Sequence, residues 1–391
     1  MPRRFFHLVI SLTAIVVLGA QPPRIDDDDD PDPAALERMV RALGSRDYRT
    51  RQAALMRLRR VGDLAVPFLE REQNSSDLEM KRRIQDLLAN IKVTGEVFCF
   101  SGHAKGIINV AIVPGDRLAL TASEDGTVRL LDMNNGSEVR RFGGHAKQVW
   151  ALAVAPDGKS FASGDQDGAM RLGSLEGEFT SRELAILPHS VRTLVFSLDG
   201  NRLLAGTFDK NIYSIDLRTG KTLAVWSGHD DAVLCMAISP DGKTLLSAGG
   251  YRDQSVCVRD ADTGKIRRRL LGHRQHVCAV AFVDNQHAVS AGYDNTVRLW
   301  NLDTGKIERE FAGHHGGVYG LAVTRDGKRL LSGGYDKMIR LWDLASGAEV
   351  RRFQQHQDGI NALAFTANGR YALSAGNDCT VRLLYMPRPA R

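Results

Sequence analysis

The sequence predicts a small all-α segment followed by an all-β repeat region of seven similar units. Up to about residue 92, the apolar residues have the spacing of amphipathic helices. After Thr94, a Gly-His pair or a variant of it returns at successive intervals of 42, 44, 40, 44, 41 and 42 residues. A fixed period of this length indicates a repeat architecture. The repeated histidines are His103, His145, His189, His229, His273, His314 and His356.

The first twenty residues have the pattern of a secretory signal. The basic start MPRR precedes an apolar run, residues 5–20, that ends in small residues. We therefore expect export to the periplasm or the extracellular space, either with cleavage after Ala20 or with residues 5–20 kept as a membrane anchor. A spanning helix needs about 17–25 apolar residues, so this run is short for a span. Residues 21–32 form an acidic linker, and its aspartate run lacks the glycine-shaped loop of a calcium site.

Residues 33–92 are predicted to form a small helical module. The apolar residues from Leu36 to Leu43 follow the i, i+3, i+4, i+7 spacing, and three further short helices follow. Ser76 and Glu79 have the spacing of a capping box at the start of the fourth helix. The stretch RTRQAALMRLRRVGDLAVPFLE resembles a HEAT-type helical repeat. The segment is too short for a long solenoid, so a spacer and a binding module remain alternatives.

Each repeat unit carries the pattern of four short β-strands. Apolar residues stand four, seven and nine positions after the histidine, as in Val149, Leu152 and Val154. A turn such as Asp157-Gly158 follows, because this residue pair accepts positive φ angles in hairpins. A second strand then runs to an aspartate, a third ends in a glycine turn, and a fourth leads to the next Gly-His pair.

Two dipeptides identify the repeat. The Gly-His pair near the start of each unit and Trp342-Asp343 near the end of the sixth resemble the WD-repeat β-propeller family. The resemblance covers residues 95–391 and implies a seven-bladed β-propeller. It also implies that the strand before each Gly-His pair belongs to the preceding blade. The segment EVFCF, residues 96–100, should therefore be the outer strand of the last blade and close the ring.

Histidine, serine or threonine, and aspartate recur together, which raises the question of catalytic triads. An active site is built once, whereas six units carry this set, so we predict that the set is structural and that no residue is catalytic. The predicted turn aspartates are Asp125, Asp167, Asp209, Asp253, Asp294, Asp336 and Asp378. The resemblance implies that each set forms a hydrogen-bonded tetrad with a tryptophan inside the blade. The two complete tetrads are His273, Ser290, Asp294, Trp300 and His314, Ser332, Asp336, Trp342. The second and third blades should be the least regular.

A partner-binding face follows from the family analogy. Residues before the turn aspartates and residues at the start of the innermost strands should open onto one face around the central channel. The predicted face consists of Trp150, Arg192, Phe208, Arg252, Tyr293, Tyr319 and Tyr335. Aromatic residues and arginine are the usual anchors of protein interfaces.

Arginines recur four residues after the predicted turn aspartates. They are Arg129, Arg171, Arg298, Arg340 and Arg382. Because they are periodic, we expect ion pairs between blades rather than contacts to nucleic acid. The formal charge of the chain is +6. Without residues 1–20, which contain Arg3 and Arg4, 50 basic residues stand against 46 acidic ones and the charge is +4. Such a near-balanced charge argues against a nucleic acid or another polyanion as the partner.

The cysteines and the remaining histidines predict no metal or cofactor. The five cysteines are scattered and never form a C-x-x-C pair, so we expect small buried side chains rather than disulfides or zinc ligands.

The leading hypothesis is an exported, monomeric, non-catalytic scaffold that binds protein partners. A ligand-binding or enzymatic propeller that uses the channel mouth is the first alternative, and a polyanion binder is the second.

Overall fold

The computed structural model describes residues 31–387, in which a helical module precedes a ring of β-sheets. The predicted signal segment and most of the acidic linker lie outside the described residues. The helices are α1 (Pro33–Ala42), α2 (Tyr48–Val61), α3 (Val66–Glu72) and α4 (Leu78–Ala89), with a 3-10 turn (Gly62–Ala65) and a π turn (Asn90–Thr94).

Aspartates begin three of the helices. The side chains of Asp32, Asp47 and Asp77 accept hydrogen bonds from backbone N–H groups in the first turns of α1, α2 and α4. The predicted capping box of Ser76 and Glu79 is wrong, because Asp77 accepts from the Glu79 N–H at 2.9 Å. A carboxylate at this position also interacts favourably with the helix dipole, which a serine hydroxyl does not match.

The described part of the ring consists of 28 strands. In chain order the first fourteen are β1 (Glu96–Phe100), β2 (Ile107–Ile112), β3 (Leu118–Ser123), β4 (Val128–Asp132), β5 (Glu138–Phe142), β6 (Val149–Val154), β7 (Ser160–Asp165), β8 (Ala169–Ser174), β9 (Ser181–Ile186), β10 (Val191–Phe196), β11 (Arg202–Thr207), β12 (Ile212–Asp216), β13 (Thr222–Trp226) and β14 (Val233–Ile238). The next fourteen are β15 (Thr244–Gly249), β16 (Val256–Asp260), β17 (Ile266–Leu270), β18 (Val277–Phe282), β19 (His287–Gly292), β20 (Val297–Asn301), β21 (Ile307–Phe311), β22 (Val318–Val323), β23 (Arg329–Gly334), β24 (Ile339–Asp343), β25 (Glu349–Phe353), β26 (Ile360–Phe365), β27 (Tyr371–Gly376) and β28 (Val381–Tyr385).

Each blade is a four-stranded antiparallel sheet. In six blades the strands follow one another in sequence, from β2–β5 in blade 1 to β22–β25 in blade 6. In blade 7 the order is β26, β27, β28 and then β1, which pairs with β28 and sets Phe100 opposite Val381. The predicted seven-bladed propeller and its closure by residues 96–100 are therefore confirmed. Closure pairs an edge that would otherwise be exposed in the last blade.

The apolar core lies between adjacent blades. Val289 in β19 packs in one cluster with Val318 in β22 and Leu330 in β23 of the next blade. Each fully buried side chain of this kind stabilises the fold by about 1.5–3 kcal/mol. Small residues allow the close approach of neighbouring blades: a Cβ on Gly164 would lie 2.5 Å from the side chain of Val191.

The helical module packs on the propeller where the ring closes. Arg60 in α2 donates to the backbone carbonyl of Met133 at 2.8 Å, and the Tyr371 hydroxyl donates to the carbonyl of Arg60 at 2.9 Å. Gly62 has a φ of 61°, and a Cβ there would lie 2.5 Å from the ring of Tyr385. A side chain at this position would therefore push the module away from the propeller.

The module contacts the ends of the strands that lie away from the repeated histidines. Met133 lies in the turn between β4 and β5, and Tyr371 begins β27. In an antiparallel blade, the first and third turns share one end, whereas the second turn and the blade-to-blade loop share the other. The histidines lie in the blade-to-blade loops. The module reaches one of these loops, where Gln355 donates to the carbonyl of Thr94 at 2.7 Å, but no described residue of the module lines the mouth of the channel.

Candidate functional site

The two predicted tetrads are each brought together inside one blade. In blade 5, His273 Nε2 lies 2.7 Å from Ser290 Oγ, and its Nδ1 lies 3.0 Å from Asp294. The indole N–H of Trp300 donates to the same serine oxygen at 2.7 Å. All four side chains are buried or nearly so, with Ser290 only 1% exposed.

Blade 6 repeats this arrangement. His314 Nε2 lies 2.8 Å from Ser332 Oγ, its Nδ1 lies 2.9 Å from Asp336, and Trp342 donates to Ser332 at 2.8 Å. Ser332 is 0% exposed and lies inside the sheet. A catalytic serine must reach a substrate carbonyl. These hydroxyls are instead fully engaged in a network in which each polar group has a partner.

Blade 2 corrects one predicted aspartate. His145 Nδ1 lies 2.8 Å from Asp165 rather than from Asp167, and Nε2 lies 2.8 Å from Ser163 as predicted. Asp165 ends β7 and is buried, whereas Asp167 is exposed in the turn. The sequence offers two aspartates two residues apart, and the strand register selects the inner one. The tryptophan position is Gly173, where a Cβ would meet the ring of Phe161 at 2.1 Å.

Blade 3 replaces the histidine with a tyrosine. Its histidine, His189, is exposed, and the serine position is Ala205, as expected for an irregular blade. The hydroxyl of Tyr213 donates to the turn carboxylate of Asp209 at 2.6 Å. Burial, together with this hydrogen bond, raises the pKa of Tyr213 to about 12, so the phenol stays a donor at neutral pH.

Blade 4 completes its network with an arginine that we did not predict for this role. Arg259 occupies the tryptophan position, and its Nε donates to Ser247 Oγ at 3.0 Å. Ser247 also contacts His229 Nε2 at 2.8 Å. The Arg259 side chain is 1% exposed and donates further to the carbonyls of Ser227 and Gly264. The sequence signal for this role was that Arg259 stands at the tryptophan position of the repeat, since an arginine can donate an N–H hydrogen bond as tryptophan does.

The turn carboxylates stay ionised. Burial raises the pKa of Asp125, but hydrogen bonds from Thr127 and His103 outweigh burial and lower that pKa to about 2. The pKa values of Asp253, Asp294 and Asp378 are also well below the usual range, again because hydrogen bonds outweigh burial. An ionised carboxylate can accept several donors at once, which suits it to hold the histidine and the turn backbone together.

Four of the five recurring arginines form ion pairs within their own blades, so the prediction of pairs between blades is wrong. Arg129 in β4 pairs with Glu138 in β5 at 2.7 Å. Arg340 in β24 likewise pairs with Glu349 in β25. The third and outer strands are hydrogen-bonded neighbours, so a glutamate on the outer strand comes within reach of the arginine. Arg171 lacks this glutamate and donates to the carbonyl of Ser181.

A cavity of about 390 Å³ opens at the channel mouth on the histidine face. Five residues of the predicted partner-binding face line it: Trp150, Arg192, Phe208, Tyr319 and Tyr335. Trp150 and Phe208 have ring centroids 5.6 Å apart, and the Arg192 guanidinium lies 5.5 Å from the Trp150 ring centre. Phe208 and Tyr335 are 47% and 60% exposed, which is unusual for rings of this size.

Tyr293, the sixth predicted residue, joins the aromatic cluster at the rim. Its ring stacks on His276 at 4.8 Å and meets Tyr319 edge-on at 6.1 Å. Two residues that we did not predict belong to this cluster, Tyr251 and His276, whose rings lie 4.1 Å apart. We name the cluster of Trp150, Phe208, Tyr251, His276, Tyr293, Tyr319 and Tyr335 the aromatic rim.

Arg252, the seventh predicted residue, lies outside this cavity. The turn between β15 and β16 contains a two-residue insertion. Because of it, Tyr251 lines the cavity and Arg252 lines a separate cleft with Arg269. The backbone N–H of Arg252 donates to the carboxylate of Asp231 at 3.0 Å, which fixes this turn. Counting back from the turn aspartate gave the wrong residue, because the insertion falls between the strand and that aspartate.

A second cavity of about 310 Å³ lies deeper in the channel and shares Arg192 with the first. Its walls include Cys235 and Cys278 from the innermost strands. Burial raises the pKa of Cys278 to about 12 and that of Cys235 well above its usual value, so both thiols are neutral. The five cysteines are unpaired. The expectation that all are buried holds for Cys257 only, because Cys235, Cys278 and Cys379 are half-buried and Cys99 is exposed.

Within residues 31–387, no group of three or more His, Cys, Asp or Glu side chains is arranged to hold a metal ion. In the same range, no helix is long and apolar enough to cross a membrane.

Comparison with known proteins identifies the repeats. No curated protein matches the chain. The model of the WD domain, G-beta repeat family matches seven segments: residues 95–132, 136–172, 181–216, 220–260, 264–301, 305–343 and 347–383. Each segment runs from the outer strand of one blade through the first three strands of the next, and together the segments cover more than half of the chain. The chain therefore belongs to the WD40 family of β-propeller proteins.

Proposed function

We propose that this protein is a non-catalytic scaffold that binds protein partners through the aromatic rim and the channel mouth. Propellers of the WD40 family typically serve as interaction scaffolds. The observation that carries the proposal is the exposure of several large rings at one place. Tyr251 is 72% exposed, Tyr335 60% and Tyr293 40%. Exposed aromatic residues around a concave surface are the usual centres of protein interfaces.

A non-catalytic role is supported by the state of the recurring hydroxyls. Ser290 and Ser332 are buried, and each is bound to both a histidine and a tryptophan. Although the contact with histidine is one that a nucleophile also makes, a hydroxyl buried inside a sheet cannot approach a substrate carbonyl. Hydrolase activity that disappeared in a folded Ser332→Ala variant would overturn this part of the proposal.

The experiment compares binding by the intact chain and by a rim variant. Trp150, Tyr293, Tyr319 and Tyr335 are all changed to alanine, and the full chain is used to capture binders from a displayed peptide library. We expect the rim variant to lose most binders, since truncated anchor residues each cost about 2 kcal/mol or more of binding free energy. Thermal unfolding followed by circular dichroism shows whether the variant is folded.

A matched control removes exposed apolar side chains elsewhere. Leu223 and Val225 in the outer strand β13 are 56% and 50% exposed and lie away from the channel. Changing both to alanine should leave peptide capture unchanged. Equal capture by the intact chain and by the folded rim variant would exclude the aromatic rim as the binding face.

We further propose that the protein is exported. The support is the sequence pattern of residues 1–20, with a basic start, an apolar run and small residues before residue 21. Residues 1–40 fused to a reporter enzyme that is active only outside the cytoplasm should give activity. Changing Val16 and Val17 to aspartate should abolish it. Mass spectrometry of the exported reporter distinguishes cleavage after Ala20 from a retained anchor.

A further inference from the structure

Arg192 is the charged group at the centre of the channel, and it has no ionic partner. Its guanidinium lines both the mouth cavity and the deeper cavity. Among residues 31–387, no carboxylate forms an ion pair with Arg192, and no hydrogen bond satisfies its guanidinium. Burial lowers the pKa of Arg192, yet arginine remains charged in proteins. An uncompensated charge in a partly desolvated site is costly and calls for a partner.

The walls around Arg192 are otherwise neutral. Cys235, Cys278 and Tyr319 face this region, and burial raises the pKa of each, so none carries charge at neutral pH. In the described lining of the two cavities the one carboxylate is Glu124, which lies at the mouth. In the described lining of the deeper cavity, Arg192 is therefore the one charged side chain, and it favours an anionic ligand there.

The N–H groups of Arg192 are available to a ligand. The guanidinium lies 5.5 Å from the centre of the Trp150 ring, a cation–π distance. Among the described residues, none accepts a hydrogen bond from the edge of this guanidinium. That edge matches the two oxygens of a carboxylate, which arginine binds through two parallel hydrogen bonds.

We propose that the channel mouth binds an aspartate or glutamate side chain of a partner protein, with its carboxylate on Arg192 and its flanking residues on the aromatic rim. This inference rests on the proposed scaffold function and specifies the partner's chemistry. Trp150 and Phe208 belong to blades 2 and 3, whereas Tyr293 and Tyr319 belong to blades 5 and 6, across the ring. A chain that crosses the mouth can contact both sides while one side chain enters the channel.

A free small anion fits the observations less well. Acetate or phosphate would satisfy Arg192 but would leave the exposed rings of Tyr335 and Phe208 uncovered. A chain terminus entering end-on would contact fewer of the rings than a crossing segment. The proposal therefore commits to an internal acidic residue with apolar or aromatic neighbours.

The test uses peptides selected from a random dodecapeptide display library against the full chain. We expect the selected sequences to share an internal aspartate or glutamate flanked by apolar residues. Synthetic peptides are then compared with versions in which the shared glutamate is glutamine or the aspartate is asparagine. For the intact protein, this change should lower the affinity about tenfold to a hundredfold.

The arginine is tested by a double-mutant cycle. In Arg192→Met, the acidic peptide should bind as weakly as its amide version, with less than about a twofold difference between them. The matched control is Arg252→Met, which removes an arginine outside the cavity and should preserve the full difference. Circular dichroism and thermal unfolding establish that both variants are folded.

The outcomes separate this inference from the scaffold proposal. Selected peptides that bind the rim but show no acidic preference, or no coupling to Arg192, would overturn the inference and leave the scaffold function standing. Peptides that bind the folded rim variant as well as the intact chain would overturn both. Binding of sodium acetate or inorganic phosphate is measured by tryptophan fluorescence. Saturation at micromolar concentration would identify a free anion as the ligand and overturn the proposal that the carboxylate belongs to a partner protein. Selected peptides that require their own C-terminal carboxylate would overturn the internal acidic residue.

Discussion

In blades 5 and 6, histidine, serine, aspartate and tryptophan form the same network, whereas blades 2, 3 and 4 each depart from it at a different position. Blade 4 replaces the tryptophan N–H with that of Arg259, and blade 2 leaves a glycine at that position. Blade 3 has neither the buried histidine nor the serine, and Tyr213 takes over. A carboxylate in the second-to-third-strand turn, or at the end of the strand that leads into it, is present in every one of these blades.

The comparison indicates that the turn carboxylate organises each blade and that the other three groups are interchangeable donors. In blade 2 the carboxylate moves from the usual position to Asp165, yet it still accepts from His145 and from the backbone N–H groups of Asp167 and Ala169. A carboxylate offers about four acceptor sites, so it can hold a turn and a side chain at the same time. Tryptophan adds one donor and apolar packing, which other residues can supply.

The largest expected effect comes from removing the carboxylate of blade 2. Asp165→Ala leaves the His145 ring N–H and two backbone N–H groups without their acceptor in a buried site. We expect a loss of about 3 kcal/mol in the free energy of unfolding. Asp167→Ala, two residues later and exposed, should change it by less than about 0.5 kcal/mol.

Urea unfolding at pH 7 measures both variants. The pair is closely matched, since both changes remove an aspartate carboxylate from the same turn. Equal losses for Asp165→Ala and Asp167→Ala would contradict the organising role of the carboxylate. A large loss for Asp167→Ala alone would restore the aspartate predicted from the sequence.

A smaller effect is expected from pH in blade 1. The pKa of Asp125 falls from its ordinary value of 3.8 to about 2 in the folded protein. The folded state therefore binds this proton less readily than the unfolded state, and the stabilisation is fully present above about pH 4. It is lost as the pH falls from about 4 towards 2. Allowing for solvent screening, we expect this carboxylate to contribute about 1 kcal/mol.

The measurement compares the slope of unfolding free energy against pH in the intact chain and in Asp125→Asn. Between pH 5 and pH 3 the variant should be less stable overall but should lose stability less steeply. The exposed Asp167→Asn serves as the control and should keep the slope of the intact chain. Identical slopes for the intact chain and Asp125→Asn would show that this carboxylate is not linked to folding.

The ring and its closure were predictable from the sequence, because a nearly constant period and a Gly-His pair or a variant of it occur in every unit and depend on no single residue. Predicting the propeller required only that the pattern of four strands recur in the same order in each unit. The choice between Asp165 and Asp167 was not predictable, since it depends on where β7 ends: Asp165 is the last residue of the strand, and Asp167 lies in the exposed turn that follows. The aspartate nearer the expected turn position was chosen, and it points to solvent.

The candidate site was partly predictable for the same reason. Positions at the start of the innermost strands were located correctly, as for Trp150, Arg192 and Tyr319, because these strands have no insertions. Arg252 was misplaced because a turn length had changed. His276 was missed because its loop position does not follow the repeat count, although it lies three residues after His273 and its ring stacks on Tyr293.

The smallest expected effect concerns the outer strands and again compares two regular blades. In blade 6, Glu349 pairs with Arg340, and their side chains are 20% and 5% exposed. In blade 5, Glu310 lies 3.3 Å from Arg298 but is 47% exposed. Glu349→Gln should cost about 1 kcal/mol, because it leaves a buried guanidinium without a countercharge, and Glu310→Gln should cost less than about 0.5 kcal/mol.

Urea unfolding at low and at 0.5 M salt checks this, since screening should reduce the cost in blade 5 more than in blade 6. Equal losses of unfolding free energy in the two blades would mean that the solvent exposure of the glutamate does not decide how much the ion pair stabilises the blade. The recurring arginines would then act mainly through hydrogen bonds to backbone carbonyls, such as the one that Arg340 donates to Gly313.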